Sequence, residues 1–280
     1  MALRLPTYVD TETLLALAEY HDIEVPRQAD IVEKTKKQRS AGGKAGIAGV
    51  GADGRASSDV EYQSTYQLTP NLKATVSKVI DALIRDGAVT VGPGHDATLA
   101  KDDVVELDGT ARITSASVAG KLLYIMKRVL TEDATDLNTL DKLTADHPAV
   151  AAQLKDVYLG NELLPIPVLL EMTNTGLAQR VYINVRPGHF VDAASADRLE
   201  GEFRVLGAVT QLVPGGTDGY LSSEDWLLHG WEYLFRRMMM ATVSENLVKA
   251  FASLELKMPD DDVQTYIAGP AIVVDAVAIY

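Results

Sequence analysis

The chain has 280 residues, 47% hydrophobic and 23% charged, which is long enough for one large or two ordinary domains and apolar enough for a real core. It has no cysteine, which excludes disulfides, thiolate nucleophiles, zinc ribbons and iron–sulfur clusters. The net charge of −13 gives an acidic body that repels phosphate backbones, and the missing signal-like or membrane-length apolar run sets a cytoplasmic expectation with no membrane contact.

The charge is uneven. Residues 1–56 hold 8 Lys/Arg and 8 Asp/Glu, so the whole excess of acid lies downstream. Asp10 is placed to cap a helix through Leu14, Leu15, Leu17 and Ala18 that ends before Pro26. A basic cluster follows (Lys34, Lys36, Lys37, Arg39, Lys44) and runs into SAGGKAGIAGVGADGRASS, residues 40–58. That segment buries too little apolar surface to offset its ordering entropy, so it is expected to be mobile and to order on a partner. Lys36, Lys37, Arg39, Lys44 and Arg55 are its partner-binding candidates.

Thr69 as N-cap, Pro70 at the first helical position and Gly87 at the exit bracket a strong helix with Leu72, Val76, Val79, Ile80, Leu83 and Ile84 on one face. Ala88–Val91 and Val104–Thr110 read as a two-stranded hairpin, so helix plus hairpin has a winged-helix outline. A helix through Leu122–Leu130 and two short ones, Asp136–Leu143 and Pro148–Leu159, complete a helical first half. Strands are then expected over Ile166–Met172, Gln179–Val185 and Glu202–Val213. Ser222 and Asp225 resemble a capping box opening one long helix, with an apolar stripe from Trp226 to Leu254. In that helix the Met238–Met239–Met240 run reads as core filling. The closing AIVVDAVAIY, Ala271–Tyr280, reads as a central covered strand.

The predicted fold class is α+β: a mostly helical N-terminal domain (1–160) and a C-terminal domain (161–280) whose sheet packs on one long helix. Four short patterns carry a family resemblance: Tyr8-x-Asp10, the Gly/Ala-rich loop, Phe203-x-Val205-x-Gly207-x-Val209, and Gly269-Pro270-Ala271 through Ala278-Ile279-Tyr280. Together they resemble an uncharacterised bacterial family, a domain of unknown function. The resemblance carries no catalytic residues; it implies at most a setting among mobile or phage-defence genes.

Chemical motifs are sparse. Gly43-Lys44 is followed by Ala45 rather than the Ser or Thr of a P-loop, and GVGADG opens no helix. The five histidines have no metal-ligand spacing, and no G-x-S-x-G elbow exists. His95–Asp96 is an adjacent pair in a turn, where two side chains seldom face one substrate. The helix Pro70–Asp86 carries Asp81 and Asp86 beside Lys73, Lys78 and Arg85, so nucleic acid is not the expected partner. Asp275 is the residue that calls for a partner, because a carboxylate in an apolar strand must be paired or neutral; Arg186 and Arg204 are the candidates. These observations lead to the expectation of a non-catalytic binding or regulatory protein, such as an accessory component of phage defence, without metal or cofactor. Its partner is a protein or a second copy. The alternative is a nucleotide or small-molecule sensor or enzyme with its site at Asp275, and the third reading is a winged-helix nucleic-acid binder.

Overall fold

The computed structural model describes residues 5–23, 25, 70–129, 152, 155, 158, 166–191, 199–217 and 219–280. Along the chain come β1 (Tyr8–Val9), α1 (Thr11–Tyr20), α2 (Pro70–Arg85), β2 (Thr90–Val91), β3 (Val104–Ile113) and α3 (Ser115–Val129). Then follow β4 (Val168–Thr173), β5 (Arg180–Val185), β6 (Gly201–Val213), β7 (Tyr220–Ser222), α4 (Glu224–Leu227), α5 (Tyr233–Met239), α6 (Val243–Ser253), β8 (Tyr266–Ala268) and β9 (Ala271–Ile279).

Five strands close on themselves in the order β3-β4-β5-β9-β6. All neighbours are antiparallel except β5 and β9, which gives a mixed five-stranded β-barrel. Closure leaves few unpaired edges. β1 pairs with β9 at Ile279 and Ala278, beyond the last residue that β5 reaches, and β2 runs parallel to the start of β3. β7 and β8 form a separate two-stranded sheet.

Alternation along the strands fills the interior with aliphatic side chains such as Val105, Leu107, Ile183, Val205, Val209 and Val274. The row Phe203, Val205, Gly207, Val209 is the inward-facing row of β6. A Cβ on Gly207 would lie 2.5 Å from both the Asp275 carbonyl oxygen and Val274 Cγ1, so no side chain fits there. The β6–β9 register shifts twice, between Leu206 and Gly207 and between Val209 and Gln211. The first shift leaves Val277 as the extra residue on β9. Val277 and Ala278 then both face the outer layer of α1 and α2, and Ile279 returns to the interior.

Two covers dress the outside. Leu14, Ala18, Val76 and Ile80 of α1 and α2 pack on Leu206 and Val277. Trp226, Leu221 and Ile267 pack on Leu169, Tyr182 and Val273. A further helical cluster joins α3 to α4, α5 and α6 through Leu122, Leu123, Leu227, Leu247 and Phe251. Asp10 caps α1, accepting from Thr13 N at 3.1 Å, and Gly87 leaves α2 at φ +74°.

The expected fold class is overturned. Strands from the first half, β1 and β3, are hydrogen-bonded into the same sheet as β4, β5, β6 and β9, so the chain is not a helical half followed by a sheet on one long helix. The wing-like hairpin is also absent: β2 and β3 are parallel, which the connection from Gly92 to Asp103 permits and a tight hairpin turn does not. The single helix from Ser222 to Leu254 is three helices. Gly230 at φ +78° leaves helical geometry, and Glu232 starts α5 by accepting from Leu234 N and Phe235 N at 3.1 and 3.2 Å. The apolar stripe reads as continuous because α4, α5 and α6 fold onto one cluster. The capping box does not form either. Ser223 precedes α4, and its hydroxyl donates to Gln264 and Thr265 carbonyls at 2.8 and 3.0 Å. The Gly/Ala-rich segment and the helix Asp136–Leu143 lie outside the described residues, as does Pro148–Leu159 save residues 152, 155 and 158.

Candidate functional site

Asp275 sits midway along β9 on the outer barrel wall, between the two covers, with Val273 under one and Val277 under the other. Each neighbouring strand delivers a partner. On β5, Asn184 stands opposite and donates from Nδ2 to Asp275 Oδ1 at 3.0 Å. On β6, the second register shift makes Thr210 the extra residue, and its hydroxyl donates to Asp275 Oδ1 at 3.3 Å and to the Val273 carbonyl at 3.3 Å. Arg186, just past β5, donates from Nη2 to Asp275 Oδ2. Trp226 Nε1 from α4 donates to Asn184 Oδ1 at 2.9 Å, extending the chain of hydrogen bonds into the cover. The Asp275 side chain is 19% exposed and that of Arg186 54%. Arg186 also donates its backbone N–H to the Tyr8 hydroxyl at 3.3 Å, and burial raises that hydroxyl well above the ordinary tyrosine range.

This arrangement makes Asp275 an acceptor shared by three strands. Both oxygens are taken by partners within the chain, so its chemistry is to join β5, β6 and β9 through charge-assisted bonds, with α4 tied in by the neutral Trp226–Asn184 bond. Arg204, the other candidate partner, lies elsewhere. Its Nη1 is 3.4 Å from Oε1 of the buried Glu106, on the neighbouring β3. Arg204 also lines a groove of about 400 Å³ with Asp108, Thr110, Glu202, Phe203 and Tyr280. Lys36, Lys37, Arg39, Lys44 and Arg55 fall outside the described residues.

A second charged cluster was not anticipated. Glu171, in the middle of β4, stands opposite Arg112 on β3 and Tyr182 on β5. Arg112 donates to Oε2 from Nε at 2.9 Å and from Nη2 at 2.6 Å, and Arg180 donates to Oε1 at 2.9 Å. Burial pushes the Glu171 carboxyl upward, but the hydrogen bonds and charges of the two arginines outweigh it and hold the group below its ordinary value. Arg112 continues from Nη1 to Asp260 at 3.1 Å, and Asp260 accepts from Ser115 and Gln264 at 3.2 and 2.7 Å. The signal was present in the sequence: VLLEMT is an apolar run broken by one acid, as is AIVVDAVAI.

The remaining candidates are scattered. His95 and Asp96 sit 3.2 Å apart on a fully exposed turn, and Arg85 pairs with Asp86 at the end of α2. Met239 and Met240 are buried, whereas Met238 is 71% exposed. Among the described residues no group of three His, Asp or Glu is arranged to hold a metal ion, and no helix is long and apolar enough to cross a membrane.

Fold and site together define a mixed five-stranded barrel, braced outside by two polar networks. The model of one family, Domain of unknown function (DUF6414), matches residues 3–280, and the chain belongs to that family. No curated protein and no solved structure matches it.

Proposed function

We propose that this protein acts by binding another protein, through the face formed by β7, β8 and α5. The observation that carries the reading is a set of exposed aromatic and aliphatic side chains on these three elements. Tyr220 and Tyr266, across the β7–β8 pair, pack edge-to-face at 5.3 Å between ring centroids while both stay more than half exposed or at half exposure. Arg237 has its guanidinium 5.6 Å from the Tyr233 ring and its Nε 3.9 Å from Glu224, and its charge also interacts with Tyr266. Leu234 and Met238 continue the patch along α5, 66% and 71% exposed. Tyrosine, methionine and arginine are the residues enriched at interface centres, and contiguous exposed apolar area marks contact sites.

The charge supports the same reading. Arg236 and Arg237 are balanced by Asp225 and Glu224, so the patch is near neutral on a chain of net charge −13. A partner can approach there without the repulsion it meets elsewhere. Catalysis at Asp275 has less support, because the carboxylate is engaged by three side chains of its own protein.

The test is native mass spectrometry of the protein purified gently from its own host, beside the double variant Leu234→Glu/Met238→Glu. The expected result is a defined complex, with itself or a second polypeptide, that the variant weakens on the order of 30-fold or more, as loss of an interface centre does. The variant's melting temperature should not change, since both side chains are already in water. A monomeric wild type, or a variant that stays assembled, overturns the reading.

A further inference from the structure

The joint between α4 and α5 is fastened by two cations. Gly230, at φ +78°, turns the chain from α4 toward α5. Lys127 of α3 donates from Nζ to the Gly230 carbonyl, and the same Nζ lies 5.2 Å from the Trp231 ring centre. Arg236 of α5 donates from Nη1 to Asp225 Oδ1 of α4 at 2.6 Å. Trp231 stacks on Phe235 with ring centroids 4.9 Å apart, which seats the first turn of α5.

The joint is closed around unmet groups. Trp231 Nε1 and Arg236 Nε are buried N–H donors with no hydrogen-bond partner among the described residues. A donor in that state favours any arrangement that returns it to water. Within α5 only Met239 is buried, so little apolar surface opposes such an arrangement. Few buried apolar contacts mark the parts of a protein that open first.

His229 stands at this joint, half-buried between Leu228 and Gly230, with its ring hydrogen-bonded to the Asp225 backbone. The charged groups that face it are Arg236 from α5, Lys127 from α3 and Asp225 from α4. Burial, and next the Arg236 charge, hold the imidazole below its ordinary value, and the Asp225 contacts offset this only in part. A proton on His229 thus sets a third positive charge against the two cations that fasten the turn. We infer that protonation of His229 loosens the joint and frees α5 to swing about Gly230, a proton switch on the face that α5 carries. Its use in partner binding rests on the function proposed above; the movement itself does not. The closed joint is fully favoured above the ordinary histidine value of 6.5, and the preference falls as pH drops from there to the lowered value.

The experiment is hydrogen exchange by mass spectrometry on the full chain at about pH 7.5 and about pH 5, each rate divided by the intrinsic rate at that pH. Peptides covering α5 are read against peptides covering α2, in wild type, His229→Gln and Lys127→Gln. In wild type the protection of α5 relative to α2 should fall on the order of threefold or more at the lower pH. It should not fall in His229→Gln, and it should fall less in Lys127→Gln, which removes one of the two cations. Only the ratio between the two pH values is read, so a variant that loosens the joint at both still gives an answer. A wild-type α5 whose relative protection does not change overturns the inference. So does a loss equal to that of wild type in His229→Gln or, should that variant not fold, in Lys127→Gln. Either result leaves the binding reading standing, because that is tested at constant pH through Leu234 and Met238.

Discussion

Glu171 and Asp275 are the same event in sequence and two different events in structure. Each is one acid inside an apolar strand, and each faces outward from the barrel wall. Register decides what happens next. β4 is set against β3 and β5 so that Arg112 and Tyr182 flank Glu171, with Arg180 two residues before Tyr182. β9 is set so that Asp275 meets Asn184 and the bulged Thr210, with a single arginine arriving from beyond the strand end. Glu171 is therefore held by two cations and Asp275 mainly by neutral donors. The kind of brace around a buried acid is a property of the strands beside it, and the acid's own strand does not encode it.

The largest expected effect lies at Glu171. Glu171→Gln keeps the shape and removes the charge that three arginine N–H groups address, so unfolding by urea should show a loss of about 1.5–3 kcal/mol. The same variant should change the acid limb of stability. The folded-state carboxyl lies below its ordinary value because Arg112 and Arg180 outweigh burial. The stabilisation is thus fully present above the ordinary carboxylate value of about 4.5 and is lost as pH falls through the lowered one. Urea midpoints taken between pH 6 and pH 3, spans chosen around that value, should fall less steeply in Glu171→Gln than in wild type. Parallel curves would show that the two arginines do not hold the ionised form.

Asp275→Asn should cost less. The asparagine oxygen still accepts from Asn184 and Thr210, and only the bond from Arg186 is lost, so a decrease of about 0.5–1.5 kcal/mol is expected in the same urea assay. A loss larger than that of Glu171→Gln would invert the comparison and make the single arginine the stronger clamp.

Much of this was legible residue by residue and little of it between residues. The ranges of β4, β5, β6 and β9, the helix from Pro70, and the left-handed exit at Gly87 follow from alternation, helical spacing and turn chemistry. The pattern Phe203-x-Val205-x-Gly207-x-Val209 enters the sequence reading only through a family resemblance; the structure makes it the inward row of β6, with the glycine at the close approach of β9. Closure of the barrel was not legible. Nothing in Val104–Ile113 says that it pairs with both β4 and β6, because alternation fixes which face is buried but not which strand lies alongside. The run from Trp226 to Leu254 misled for a related reason: an apolar stripe records a shared core, and three short helices can share one as well as a single long helix can. Asp275 stands out in a nine-residue closing strand, while Glu171 carries the same signature in a strand of six residues, where one acid interrupts a shorter apolar run.

The smallest effect sharpens the comparison most. Arg186 and Arg112 are both arginines beside a mostly buried carboxylate, and their exposures, 54% and 45%, are close. They differ in what they join. Arg112 spans from Glu171 on the barrel to Asp260, in the segment between α6 and β8, so it joins parts far apart in the chain. Among the described residues the Arg186 guanidinium pairs with Asp275 alone, and Asn184 and Thr210 still hold that carboxylate when the guanidinium is gone. Its ion pair is open to water on the arginine side, where screening and side-chain entropy leave about 0–1 kcal/mol. Arg186→Ala should therefore shift the urea midpoint only slightly, and that small shift should shrink further when salt is raised. A loss well above 1 kcal/mol that resists salt would place Arg186 in the same class as Arg112. Asp275 would then be a carboxylate held by charge, and register would matter less than the presence of any arginine within reach.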